Sequence, residues 1–124
     1  MIENLCISKH LEEFLDCIAE CKRVHPVAVE NYELENKRQQ DLLHGIEFET
    51  QPRELTELAT RLHKSRQERR YWKDIIEEAE IMVKFFEEPG HKRTFEKLKQ
   101  LLGSARKIEQ YHENRSYKIR VKEE

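Results

Sequence analysis

The chain has 124 residues, 39% of them charged and 37% hydrophobic, with a formal net charge of −2. That is the size of one small domain, near the lower edge for burying a core unaided, so a second chain is one source of cover. No run approaches the ~20 consecutive apolar residues of a membrane helix, no leader pattern opens the chain, and three Gly with three Pro are too few for the many turns of an all-β fold.

Residues 2–24 carry Ile7, Leu11, Phe14, Leu15 and Ile18 on one helical face. Pro26 follows, then a polar stretch over 27–44 whose apolar groups are Tyr32, Leu34, Leu42 and Leu43. Gly45 stands where a helix stop belongs. Residues 1–50 therefore read as an acidic pair of N-terminal helices. Cys6, His10, Cys17, Cys21 and His25 form a stripe beside the apolar face. One helix cannot wrap a tetrahedral zinc with such a stripe, so it is expected to pack at the shoulder of the core, with no metal. Three cysteines without a leader predict free thiols in a reducing cytosol.

Pro52 suits the first turn of the next helix. Over 53–88, Leu55, Leu58, Leu62, Ser65, Arg69, Trp72, Ile76, Ala79, Val83 and Phe86 alternate in steps of three and four, the seam of a coiled coil. Ser65 and Arg69 are its polar members. Ile75 and Met82 widen the face and suit a helix with more than one neighbour. Pro89-Gly90 is the strongest break. Beyond it Phe95, Leu98, Leu101, Leu102, Ala105, Ile108 and Tyr111 predict another helix, with Thr94 as its cap. Gly103 lies inside that helix. The expectation is an antiparallel hairpin over 51–114 turning at 89–90. Leu55, Leu58 and Leu62 then take their cover from the N-terminal helices or from a second chain, as an oligomer seam. In the tail, 115–124, Tyr117, Ile119 and Val121 alternate with Lys118, Arg120 and Lys122, the period of an extended arm.

Charge is segregated. Residues 1–60 sum to −7, 61–73 to +5, 74–90 to −5 and 91–124 to +5. Folding about 89–90 sets acidic 74–88 against Lys92, Arg93, Lys97 and Lys99. It also brings the basic segment 61–73 to Arg106, Lys107 and Arg115. The candidate working surface is therefore Lys64, Arg66, Arg69, Arg70, Lys73, Arg106, Lys107, Arg115, Tyr117, Lys118 and Arg120. Arginine forks match phosphate oxygens, and Tyr71, Trp72 or Tyr117 is placed to stack a base, although the seam position of Trp72 favours core. The plainer reading is a solvated basic face, neutralised by the acidic first half within the chain or across a dimer.

No catalytic pattern frames these groups. The six histidines are scattered without HExxH spacing, and no GxSxG, Walker or GxGxxG motif occurs. Glu77 with Glu80, and Glu13 with Asp16, have the spacing used by helical pyrophosphatases to hold magnesium, but the following helix is basic and lacks a mate. The expectation is no enzyme and no cofactor.

Arg69-Arg70 with Lys73-Asp74, Leu102-Gly103 with Arg106-Lys107, and Glu113-Asn114-Arg115-Ser116-Tyr117 running into Ile119-Arg120-Val121 carry a family likeness. Across roughly residues 62–122 the chain resembles small helical proteins of unknown function encoded by phages and prophages of Gram-positive bacteria. Nothing comparable covers 1–60. The resemblance implies an accessory protein of the host cytoplasm, with no known chemistry.

The whole reading is a single all-α domain, a long coiled-coil-like helical hairpin with N-terminal helices and a short basic tail. It acts as an oligomer, without a membrane, on a host or phage protein. The alternative is an anion-binding module for single-stranded nucleic acid or a nucleotide signal.

Overall fold

The computed structural model describes residues 2, 3, 5–116, 120 and 121. They form three helices, α1 (Ile7–Phe48), α2 (Pro52–Glu87) and α3 (Pro89–Asn114). The fold is all-α, and among the described residues no helix is long and apolar enough to cross a membrane. The extended arm expected at 117–122 falls mostly outside the described residues.

The N-terminal pair is one helix. Pro26 sits inside α1, which runs on through Gly45 to Phe48. An interior proline removes one backbone hydrogen bond and crowds the preceding turn, at about 3 kcal/mol. Packing on both sides offsets that cost: Ile18 and Ala28 are each 0% exposed. Along α1 one line of buried or half-buried residues, Ile18, Cys21, His25, Ala28, Tyr32, Glu35, Gln39, Leu42 and Ile46, again runs in steps of three and four.

This stripe is the mate of the α2 seam. Gly45 faces Leu58, Glu35 faces Ser65, Tyr32 and Asn36 face Arg69, and His25 approaches Glu80. The α1 number falls as the α2 number rises, so the long antiparallel hairpin is α1 with α2, turning at 49–51. All ten seam positions read from the α2 sequence are buried or half-buried. The Glu49 carboxylate accepts the backbone N–H groups of Thr50 and Gln51, each at 3.0 Å, and ties the turn.

The expected reversal at 89–90 does not occur. Only Glu88 separates α2 from α3, with an extended ψ of 136°. A residue before proline is driven out of the helical region, and Pro89 then opens α3 with its fixed φ. One residue kinks the path, whereas an antiparallel turn takes about two to five. Thr94 is accordingly inside α3, its hydroxyl donating to the Gly90 carbonyl at 3.3 Å. From Lys22 over Phe95, through Glu12–Arg106, to Ser8–Glu109, α3 runs on toward the start of α1. It takes over from α2 as the neighbour of that segment. Phe86 meets Phe95 edge-on at 5.8 Å, and His91 stacks on Phe85 at 3.8 Å. The proposed pairing of 74–88 with Lys92, Arg93, Lys97 and Lys99 is thereby replaced.

Candidate functional site

The two polar members of the α2 seam belong to a buried layer at mid-hairpin. Glu35 is 4% exposed. Its Oε2 accepts the Ser65 hydroxyl at 2.7 Å, and its Oε1 pairs with Arg38. Arg38 also approaches Glu68 at 3.8 Å. One turn along, Arg69 donates from Nε to Asn36 and from Nη2 to the Tyr32 hydroxyl at 2.8 Å. Its guanidinium lies 4.9 Å from the Tyr32 ring centroid. Arg69 is thus committed inside the chain and withdrawn from the candidate surface.

The basic segment is not joined by the second one. Arg69 lies beside Tyr32 and Asn36, whereas Arg106 pairs with Glu12 at 3.2 Å. About twenty residues of α1 separate them, on the order of 30 Å at the helical rise. Arg66 and Arg70 are exposed and Lys73 is half-buried. Lys107, Arg115 and Arg120 are exposed at the far end. Tyr117 and Lys118 lie outside the described residues. Leu55, Leu58 and Leu62 are half-buried, with Leu58 against Gly45 of the same chain.

In place of a hairpin end, the structure forms a groove over mid-hairpin. Two adjoining hollows of about 260 and 520 Å³ are lined from α1 by Leu34, Lys37, Arg38, Asp41 and Leu42, and from α2 by Leu58, Arg61, Lys64, Ser65 and Glu68. Four cations meet two carboxylates there. Lys37, Arg61 and Lys64 make no ion pair among the described residues. The acidic sum of residues 1–60 hides Lys37 and Arg38; their adjacency, on the helix that also carries Leu34, is the signal the sequence offers. Tyr71 is 59% exposed next to Arg70, and Trp72, half-buried, meets it edge-on at 5.0 Å.

A second groove, of about 690 Å³, lies between residues 5–7 and the outer face of α3, lined by Leu5, Ile7, Leu101, Ala105 and Ile108 with Glu113 at its rim. Beneath it Glu109 takes the Ser8 amide at 3.2 Å. Hydrogen bonding by the Ser8 side chain, then by its backbone, holds the Glu109 carboxyl below the usual carboxylate range. This carboxylate satisfies an orphan N–H in the first turn of α1 and complements the helix dipole.

The cysteines do not act together. Cys6 and Cys17 are exposed, and only Cys21, with His25, takes the expected shoulder position. Burial, then neighbouring Cys17, pushes the Cys21 thiol up, which makes it a poorer nucleophile and ligand. No cluster of three or more His, Cys, Asp or Glu suited to a metal occurs among the described residues. Glu80 is engaged by Lys84 at 3.1 Å.

No family model, curated protein or solved structure matches the chain.

Proposed function

We propose that the chain is a non-enzymatic interaction protein of the phage accessory kind, acting as an oligomer in the host cytoplasm and binding or inhibiting a host or phage protein. The supporting observation is the mid-hairpin groove, where Lys37, Arg38 and Arg61 share one hollow with the half-exposed Leu34 and Lys64 lines the adjoining one. Such a surface suits an acidic protein face that offers an apolar side chain to the groove floor. Rim cations steer approach and set specificity, and the apolar floor slows release.

The test pairs native chain with Arg61→Glu/Lys64→Glu in capture from source-cell lysate, with helix content checked by circular dichroism. A protein retained by the native chain and lost by the folded double variant is the expected result. Identical captured sets overturn the reading.

A second reading, an anion-binding module for single-stranded nucleic acid or a nucleotide signal, is favoured by Tyr71, exposed beside Arg70 and one turn from the groove. Phosphate binding by these cations falls steeply with salt. Labelled oligonucleotides and cyclic nucleotides that fail to bind at ~50 mM salt, where such contacts are strong, exclude it.

A further inference from the structure

We infer that α3 is a displaceable strap, and that the α1 face beneath it is a docking site for a basic amphipathic helix of a partner protein. The inference goes beyond the groove reading, which concerns the opposite end of the hairpin.

The chemistry of the occupant is defined by what already sits there. Along the start of α1, Ser8, Leu11, Leu15 and Ile18 are buried or half-buried in steps of three and four, and Phe95, Leu98, Leu102, Ala105 and Glu109 of α3 follow the same steps. Residues 7–21 hold four carboxylates to one lysine, whereas α3 holds six Lys or Arg to three Glu. Arg106 pairs with Glu12 at 3.2 Å across the contact. A helix with that apolar spacing and that surplus of bases is what this face accepts.

The strap is lightly held. Leu102 is the one buried residue of α3, and Leu11 and Leu15 stay half-buried beneath it. The side chains of Arg106 and Glu12 are 49% and 54% exposed, and surface pairs of this kind add little. The hairpin, in contrast, buries Ala28, Glu35, Leu42 and Ser65. Segments with the fewest buried apolar contacts open at the lowest free energy. Glu88 alone joins α3 to α2, so the swing turns on one residue. A tie at the hinge resists it. Pro89 has no N–H for the Phe85 carbonyl four residues before it. His91 Nδ1 donates there instead, at 2.8 Å, with its ring stacked on Phe85 at 3.8 Å and the Glu88 carboxylate 3.1 Å away.

Hydrogen exchange of the full chain, read by mass spectrometry, tests this. Residues 7–18 and α3 are expected to open together, with protection more than about tenfold below that of residues 28–42. His91→Ala leaves the α1–α3 contact in place and should lower both further, with helix content kept. In Leu102→Asp the start of α1 should lose its protection, and a synthetic peptide of residues 89–114 should restore it. The same peptide carrying Leu102→Asp should not, and one carrying Lys97→Glu/Lys99→Glu/Arg106→Glu should restore less. If Leu102→Asp also strips protection from the hairpin, His91→Ala with the same peptides decides. Protection of α3 equal to that of the hairpin overturns the strap. A start of α1 that the native peptide leaves unprotected overturns the docking face, and equal restoration by the charge-reversed peptide overturns its preference for bases. Protection of α3 that falls on dilution marks exchange with a second copy and overturns the intrachain strap.

Discussion

Removing the Ser65 hydroxyl tests whether the mid-hairpin layer is an energetic unit. In Ser65→Ala the Glu35 Oε2, in a residue 4% exposed, loses its donor at 2.7 Å while Oε1 keeps Arg38. A hydrogen bond to a charged group contributes about 1.5–3 kcal/mol, and a buried oxygen left without one bears the desolvation cost. The Ser65→Ala hairpin should therefore lose about 1.5–3 kcal/mol. Glu35→Leu should behave differently. It removes the buried charge itself, leaves Arg38 to reach water, and lets the Ser65 hydroxyl bond back to a carbonyl of its own helix. Replacing a buried ion pair by apolar groups of similar volume is often neutral or stabilising, by about 1–4 kcal/mol, and the partner left behind here, Arg38, is 46% exposed, so no buried charge is stranded. In the Glu35→Leu background, Ser65→Ala should cost about nothing, because alanine is the better helix former by a few tenths of a kcal/mol. The coupling in the double-mutant cycle is then close to the full single-mutant loss. Urea denaturation followed by far-ultraviolet circular dichroism at one fixed protein concentration gives all four stabilities. Equal costs of Ser65→Ala in both backgrounds would refute the argument.

Four further outcomes follow from particular residues. Pro26→Ala should stabilise α1 by up to about 3 kcal/mol in the same urea assay, since it returns an interior hydrogen bond. Gly45→Ala should add about 0.5–1 kcal/mol, because a helical glycine loses more chain entropy than alanine; the new Cβ meets Leu58 at an ordinary 3.5 Å. Gly103→Ala has open space around it and should give a similar gain, as a raised melting temperature. The Glu109 carboxyl is held low in the folded chain, so its contribution is complete above the unfolded carboxylate pKa and is lost as pH falls through the lower folded value. The protection factor of the Ser8 amide, its exchange rate corrected for the intrinsic pH dependence, should fall across that acidic window, and Glu109→Gln should flatten the response.

The α2 seam was legible because its apolar members recur at coiled-coil spacing and its polar exceptions sit on the same line. The α1 seam was not. Its middle is His25, Tyr32, Glu35 and Gln39, residues that spell solvent by hydropathy; Glu35 and Tyr32 reach the interior by meeting Ser65, Arg38 and Arg69 there. Pro26 and Gly45 spell stops in the sequence for the same reason: propensity is local, and packing against α2 overrides it. Pro89 was a true boundary, but one extended residue at Glu88 kinks the chain without reversing it. That kink decides the partner of α2, and with it the position of the basic surface. The cations were found as a segment; the groove needed Lys37 and Arg38 from the other helix.

The polar layer also explains why the groove is where it is. A coiled-coil seam of apolar residues alone tolerates slippage by one heptad, because each layer resembles the next. In this hairpin a slip of seven residues sets Glu35 against Leu58 or Trp72 in place of Ser65, burying a carboxylate without its donor. Arg69 simultaneously loses Tyr32 and Asn36. A buried polar pair at one seam position is the best-attested device for fixing register, even where it lowers stability. Register in turn decides that Arg38 of α1 stands beside Arg61 and Lys64 of α2. Stability and binding should therefore separate in Glu35→Leu/Ser65→Ala. That hairpin should melt no lower than the native chain, yet hold its captured partner less tightly, since the four cations are no longer pinned along the groove. Unchanged capture by this variant would show that the seam alone sets the register and that the polar layer serves another end.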